Sequence, residues 1–128
     1  MDSVYLDGST LEQIRSLDQR YDDRAYAFVL AALEEVVQRL PRRRHVSGGE
    51  LVTGCRDLAL RLYGPMAKTV LEYWNVRATR DIGEVVFNLL EVGILSKDDA
   101  DSRNDFDDLF DFTEVFETNY PWGGRSLA

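Results

Sequence analysis

Residues 79–95, TRDIGEVVFNLLEVGIL, carry the helix pattern that decides the fold of this chain. Their apolar side chains recur three and four positions apart, as in a helix that buries one face: Ile82, Val85, Val86, Leu89 and Leu90. Thr79 is the predicted N-cap, and Gly93 followed by apolar Ile94 is the predicted end. After Ile94 the spacing changes, which allows a short strand and a small β-hairpin near residues 94–112.

The first forty residues show the same periodicity and predict two helices. Thr10 with Gln13 three positions later is typical of a capping box that opens a short helix. Asp22 or Asp23 can cap a longer helix, which Pro41 stops.

The strongest local signal of a helix start is Ser47-Gly48-Gly49-Glu50. Ser47 can accept a hydrogen bond from the backbone N–H of Glu50, while the Glu50 carboxylate can accept one from the backbone N–H of Ser47. The helix that follows ends before Pro65, which suits the first position of the next helix. Asn75 can stop that helix in a left-handed conformation.

The negative charge of the chain is concentrated in residues 98–117, here called the acidic segment. It holds nine Asp or Glu residues and one Arg, whereas the other 108 residues hold 14 acidic and 14 basic ones, so it accounts for the net charge of −8. Disordered acidic tails are poor in aromatics, but this one is rich in phenylalanine, and Asp111 with Glu114 predicts a last helix through Phe116. We therefore expect it to dock, either on its own protein or on a partner. The candidate partner residues are Phe106, Phe110, Phe112, Phe116 and Trp122.

A basic connection, Arg42, Arg43, Arg44 and His45, joins the second and third predicted helices. It precedes a helix N-terminus, where free backbone N–H groups and the helix dipole also attract anions. Three interpretations stay open. The residues can be a solvated connection, a contact for an anion or a partner, or ion-pair partners of the acidic segment.

The residue patterns specify no catalytic, metal or cofactor site. Cys55 lies on the apolar stripe of its helix, which predicts a buried structural cysteine. The acidic segment suggests calcium, but a loop register that starts at Asp99 places Arg103 at a ligand position and lacks the glycine of an EF-hand. We therefore expect no cofactor and no metal, and favour a non-enzymatic role.

Composition and the N-terminal sequence predict the compartment. No apolar run approaches the roughly 20 residues that a membrane span needs. Residues 1–7 lack the basic region and the apolar core of a signal peptide. One cysteine excludes an internal disulfide framework. These features predict a cytoplasmic protein without membrane contact.

Three motifs resemble those of an uncharacterised family of short bacterial proteins. They are RRHVSG at residues 43–48, GPMAKTVL at residues 64–71 and GEVVFNLLEVGILSK at residues 83–97. With Asp101-Ser102-Arg103 the resemblance extends over about residues 25–116. It implies relatives, but that family supplies no activity to carry over.

Residues 65–112 also resemble, more weakly, a winged helix-turn-helix domain. The resemblance implies that a helix over residues 80–92 enters the DNA major groove and that a hairpin beyond it touches the backbone. Against this function, that helix carries three acidic residues and one basic residue, Arg80. The wing would be the acidic segment, whose carboxylates repel phosphates.

Together these patterns predict a mainly α-helical single domain over residues 1–128, with five to six helices, a core over about 10–117 and a frayed tail over about 118–128. The favoured function is a non-enzymatic protein-interaction or regulatory module that uses the acidic segment. Its protein partner is unidentified, and a homo-oligomer is allowed. The alternative is a winged-helix nucleic-acid-binding protein that uses Arg42–Arg44 and the 80–92 helix. The sequence pI of 4.6 disfavours this alternative.

Overall fold

The computed structural model describes residues 6–42, 44–96 and 103–118. Its α-helices are α1 (Gly8–Leu17), α2 (Asp23–Arg39), α3 (Gly48–Tyr63), α4 (Ala67–Tyr73) and α5 (Thr79–Glu91). Short turns of 3₁₀-helix lie at Gly64–Met66 and Arg103–Phe106, and a turn of π-helix lies at Glu114–Thr118. The prediction of a mainly helical fold is therefore confirmed. The predicted frayed tail lies, beyond residue 118, outside the described residues.

Helix α5 is the centre of the hydrophobic core. It packs against α1, α2 and α3 and against the 3₁₀ turn at Arg103–Phe106. Val85 and Leu89 have no exposed surface, and only Arg80 and Glu91 of this helix are exposed. The helices α1, α2 and α3 and the 3₁₀ turn at Arg103–Phe106 therefore cover most of α5.

Several of the predicted helix ends are confirmed. Ser47 accepts from the backbone N–H of Glu50 at 3.1 Å, and the Glu50 carboxylate accepts from the backbone N–H of Ser47 at 3.0 Å. Asp22 caps α2 through the backbone N–H of Arg24. Asn75 and Gly93 have φ angles of 69° and 84°, so both chain reversals use the left-handed region.

Two predicted N-caps, Thr10 and Thr79, are wrong, because α1 is capped by Asp7 and the N-cap of α5 is Ala78. Asp7 caps α1 by accepting from the backbone N–H of Thr10, which lies inside the first turn. Asp81 accepts from the backbone N–H of Ala78 at 3.1 Å, one position before α5 begins. Thr79, the predicted cap, is buried with 1 % exposure, and its hydroxyl makes other contacts.

A polar network fixes the α1–α2 connection to α5. The Asn88 amide donates to the Asp18 carboxylate at 2.9 Å and to the Tyr26 hydroxyl at 3.0 Å. Arg20 donates to Asp18 and to Glu84 of α5. The Arg20 guanidinium is the main reason that the pKa of Asp18 lies well below its ordinary value. These groups satisfy one another, which is typical of a structural network.

The β-hairpin predicted near residues 94–112 is not seen in the described part of that range, which omits residues 97–102. After Gly93, the backbone N–H groups of Ile94 and Leu95 both donate to the carbonyl of Leu89, at 3.0 and 3.4 Å. The chain therefore folds back over the end of α5 and does not extend into a strand. Residues 103–106 then form a 3₁₀ turn that delivers Phe106 to the core.

Candidate functional site

The acidic segment packs on its own protein through its phenylalanines. Phe106, Phe112 and Phe116 are 2 %, 4 % and 1 % exposed. Phe106 enters a notch between α3 and α5 that two glycines create. A Cβ atom at Gly83 would lie 2.6 Å from Phe106 Cγ, and one at Gly48 would lie 3.1 Å from Phe106 Cζ. The notch therefore requires glycine at position 83 and leaves little room for a side chain at position 48.

Thr79 holds the turn that follows Phe106. Its hydroxyl donates to the backbone carbonyl of Phe106 at 2.6 Å and accepts from the backbone N–H of Leu109 at 3.1 Å. Asp108, between them, has a φ angle of 51°, in the left-handed region. One buried side chain thus satisfies two backbone groups and fixes the turn at residues 106–109.

The remaining phenylalanines form a cluster among themselves. The Phe112 ring centroid lies 5.7 Å from that of Phe110 and 5.2 Å from that of Phe116. Three of the rings predicted as partner residues are therefore buried within the chain. Phe106, Phe112 and Phe116 belong to the core of the chain, and Phe110 is half-buried. Trp122, the fifth candidate, lies outside the described residues.

In the basic connection, Arg44 forms its hydrogen bonds with residues close to it in the sequence. Arg44 donates to both oxygens of Glu50, at 2.9 and 2.7 Å, and to the carbonyl of His45 at 3.0 Å. These bonds, with that from the backbone of Ser47, lower the pKa of Glu50 to about 2. Arg42 and His45 are exposed, whereas Arg43 lies outside the described residues. Among the described residues, Arg44 thus pairs with the helix cap, and Glu117 of the acidic segment reaches Lys68 of α4 at 3.7 Å.

An apolar pocket lies between α2, α3 and α5, beside this basic connection. Its volume is about 220 Å³, and most of its wall is aliphatic or aromatic. The residues that form this wall include Leu33, Val37, Val86, Phe87, Leu90 and Phe106. Arg44, His45 and Ser47 provide polar atoms to one side. We call this cavity the α2/α3/α5 pocket.

Sequence patterns placed the pocket residues on separate apolar stripes and gave no sign that they share a cavity. Leu33, Leu90 and Leu95 are only partly buried although they contact the core. Their incomplete burial follows from the packing of three helices that are distant in sequence. One feature of the sequence pointed toward the pocket. This feature is the basic connection, which lies directly before α3, and α3 forms part of the pocket.

Cys55 is confirmed as a core residue. Its side chain is 2 % exposed, and burial raises the pKa of the thiol to about 12. A thiol with this pKa stays protonated near neutral pH, so it lacks the thiolate that a nucleophile or a metal ligand needs.

Residues 6–42, 44–96 and 103–118 contain no group of three His, Cys, Asp or Glu side chains that could hold a metal ion. Among the helices of those residues, none has both the length and the apolar character needed to cross a membrane.

Comparisons of the chain with protein-family models, with curated proteins and with solved structures find no match. The site is therefore interpreted from its own contacts.

Proposed function

We propose that this chain is a non-enzymatic protein-interaction module and that a partner inserts an apolar side chain into the α2/α3/α5 pocket. The observation that supports this most is the pocket itself. Leu33, Leu90 and Leu95 line it but remain partly exposed. Covering such surface with an apolar group from a partner is favourable by about 25 cal/mol per Å².

The size of the pocket favours a side chain over a small-molecule ligand. Pockets for small molecules and cofactors usually hold about 300 to 1,000 Å³. At about 220 Å³, the α2/α3/α5 pocket is smaller than that range. One bulky aliphatic or aromatic side chain from a protein segment is a better match. Such anchors in a desolvated pocket supply most of the binding energy in many interfaces.

The charges beside the pocket favour a partner segment that is acidic around its anchor. Arg44 lines the pocket, and Arg42 is exposed in the same connection. Glu50 neutralises part of the charge of Arg44, whose side chain nevertheless remains 48 % exposed. Complementary charges at the edge of an interface mainly set specificity and association rate.

The alternative, a winged-helix nucleic-acid-binding protein, has less support. A recognition helix must present a face to the major groove, but α5 exposes only Arg80 and Glu91. A net charge of −8 also opposes binding to phosphates. The likeness to an uncharacterised bacterial family stays a prediction and adds no activity to either function.

Variants on two faces can test the proposed function. Leu90→Glu puts a carboxylate at the pocket, whereas Leu62→Glu makes the same change at a side chain of α3 that is 55 % exposed and outside the pocket. Tagged copies of the wild type and of both variants would be expressed in the source cell, and circular dichroism would confirm that each is folded. We expect a partner that is recovered with the wild type and with Leu62→Glu but is lost with Leu90→Glu.

Two results would count against the proposed function. An identical set of recovered proteins for all three chains would show that the pocket does not bind the partner. Micromolar binding of the purified wild type to duplex DNA that weakens steeply with salt would favour the nucleic-acid alternative.

A further inference from the structure

We propose that the apolar anchor for the α2/α3/α5 pocket is Leu109 of a second copy of this chain, so that the chain forms a homodimer. This inference rests on the proposed function because it names the partner of the same pocket. Two features of the described residues support it. They are the shape and charge of the turn around Leu109, and the position of this turn relative to the pocket.

Leu109 has the properties of a preformed anchor. Its side chain is 43 % exposed, unlike the buried Phe106 and Phe112 on either side of it in the chain. Its backbone N–H is fixed by Thr79 at 3.1 Å. Because the turn is held by a buried side chain of α5, little conformational freedom is lost when Leu109 binds.

The surroundings of Leu109 are complementary in charge to those of the pocket. Asp107 and Asp108 precede it and are both exposed. The pocket is bordered by Arg44, whose guanidinium pairs with Glu50 but whose side chain remains 48 % exposed. An exposed leucine beside carboxylates therefore faces, in a second copy, an apolar pocket beside a guanidinium. A net charge of −8 on each copy opposes association, so local complementarity has to select the contact.

The turn and the pocket lie near opposite ends of α5. Thr79, which holds the turn, begins α5, and Leu90, which lines the pocket, lies near its end. Eleven residues of α-helix separate them by about 16 Å along the axis. Phe106, three residues before Leu109, also lines the pocket, so the acidic segment connects the two features. With an axis between them, each copy can insert its Leu109 into the pocket of the other.

Sedimentation velocity of the purified full chain tests the oligomeric state. The Leu109→Asp change affects an exposed side chain, and Leu62→Asp is the matched control at a side chain of similar exposure. We expect the wild type and Leu62→Asp to form dimers with equal affinity and Leu109→Asp to dimerise at least about tenfold more weakly. A monomeric wild type at millimolar concentration would overturn the proposal, and so would a dimer that Leu109→Asp leaves unchanged.

A spin-label experiment tests the contact itself. A nitroxide is attached at Asp107→Cys, beside the turn, while Cys55 is too buried to react. This copy is mixed with an isotope-labelled copy that carries no nitroxide. We expect line broadening at the amides of Gly48, Phe87 and Leu90 in the isotope-labelled copy. A nitroxide at Tyr73→Cys, which is 74 % exposed on α4, should leave these amides sharp. Broadening from position 73 alone would overturn the proposal.

The two proposals fail in different ways. If the purified chain is monomeric and Leu90→Glu still loses a partner in cells, the homodimer is wrong and the interaction function stands. If Leu90→Glu changes neither the self-association of the chain nor the set of proteins recovered with it from cells, both the homodimer and the interaction function are wrong.

Discussion

Two apolar sites lie side by side between α3 and α5, and they differ in what fills them. The notch formed by Gly48 and Gly83 is filled by Phe106 from the same chain. The α2/α3/α5 pocket, which Phe106 also lines, keeps a volume of about 220 Å³. The first site is closed by the acidic segment and contributes to folding, whereas the second leaves apolar surface for a partner. The same helices therefore supply both stability and a candidate binding surface.

The largest expected effect concerns the ring that fills the notch. Phe106→Ala removes a side chain that is 2 % exposed between two helices and leaves a cavity. We expect the free energy of unfolding to fall by about 3 to 5 kcal/mol. Chemical denaturation measures this loss. A loss below about 1 kcal/mol would mean that the acidic segment does not dock in solution.

The next effect concerns the space opposite that ring. Gly83→Ala places a Cβ atom 2.6 Å from Phe106 Cγ and 2.7 Å from Phe106 Cβ, atoms too close to the backbone to move easily. We expect a loss of about 1 to 3 kcal/mol, although alanine favours helices. Gly49→Ala is the control because nothing lies within 4 Å of its Cβ position. Equal stability of the two variants would show that the notch is not tightly packed.

A smaller effect should come from the hydroxyl that links α5 to the acidic segment. Thr79→Val keeps the shape of the side chain but leaves the carbonyl of Phe106 and the N–H of Leu109 without this partner. We expect a loss of about 1 to 2 kcal/mol. Thr53→Val on the exposed surface of α3 should change stability by no more than about 0.5 kcal/mol. A similar loss of unfolding free energy in both variants would exclude a structural role for the Thr79 hydroxyl.

The smallest expected effect is that of Glu50, beside the pocket, and it depends on pH. The pKa of Glu50 is lowered from 4.5 to about 2, first by Arg44 and then by the backbone of Ser47. A carboxyl with a lowered folded-state pKa stabilises the fold above its unfolded pKa, and this contribution is lost as the pH falls through the folded pKa. Glu50→Gln should therefore flatten the decline of stability between pH 4.5 and about 2. An unchanged decline would show that the pair with Arg44 does not form in solution.

The local signals of the sequence were enough to predict most helices. Ser47 and Glu50 formed the expected cap, and Asn75 and Gly93 the expected reversals. The prediction at Thr10 failed because Asp7, close in sequence, is the acceptor, and the prediction at Thr79 failed because its hydroxyl bonds the backbone of Phe106 and Leu109. Such competition is decided by the path of the backbone, which residue types alone do not specify.

The site was predictable only in part. The phenylalanines among the carboxylates indicated that the acidic segment can dock, and the burial of Phe106 and Phe116 bears this out. The pocket was not predictable because its walls come from α2, α3 and α5, and a cavity depends on how these helices pack together. In the sequence, Leu109 could not be distinguished from the other apolar residues of the acidic segment. The turn held by Thr79 leaves its side chain exposed.

The difference between the filled notch and the open pocket can be measured directly with xenon, which binds apolar cavities. The Leu109→Asp variant is used so that no second copy can occupy the pocket through Leu109. We expect the methyl resonances of Val37, Val86 and Leu90 to shift with xenon pressure, while those of Val52 and Leu58, buried elsewhere in the core, stay constant. An absence of shifts at the three pocket residues would contradict the account, because the pocket would then be closed in solution.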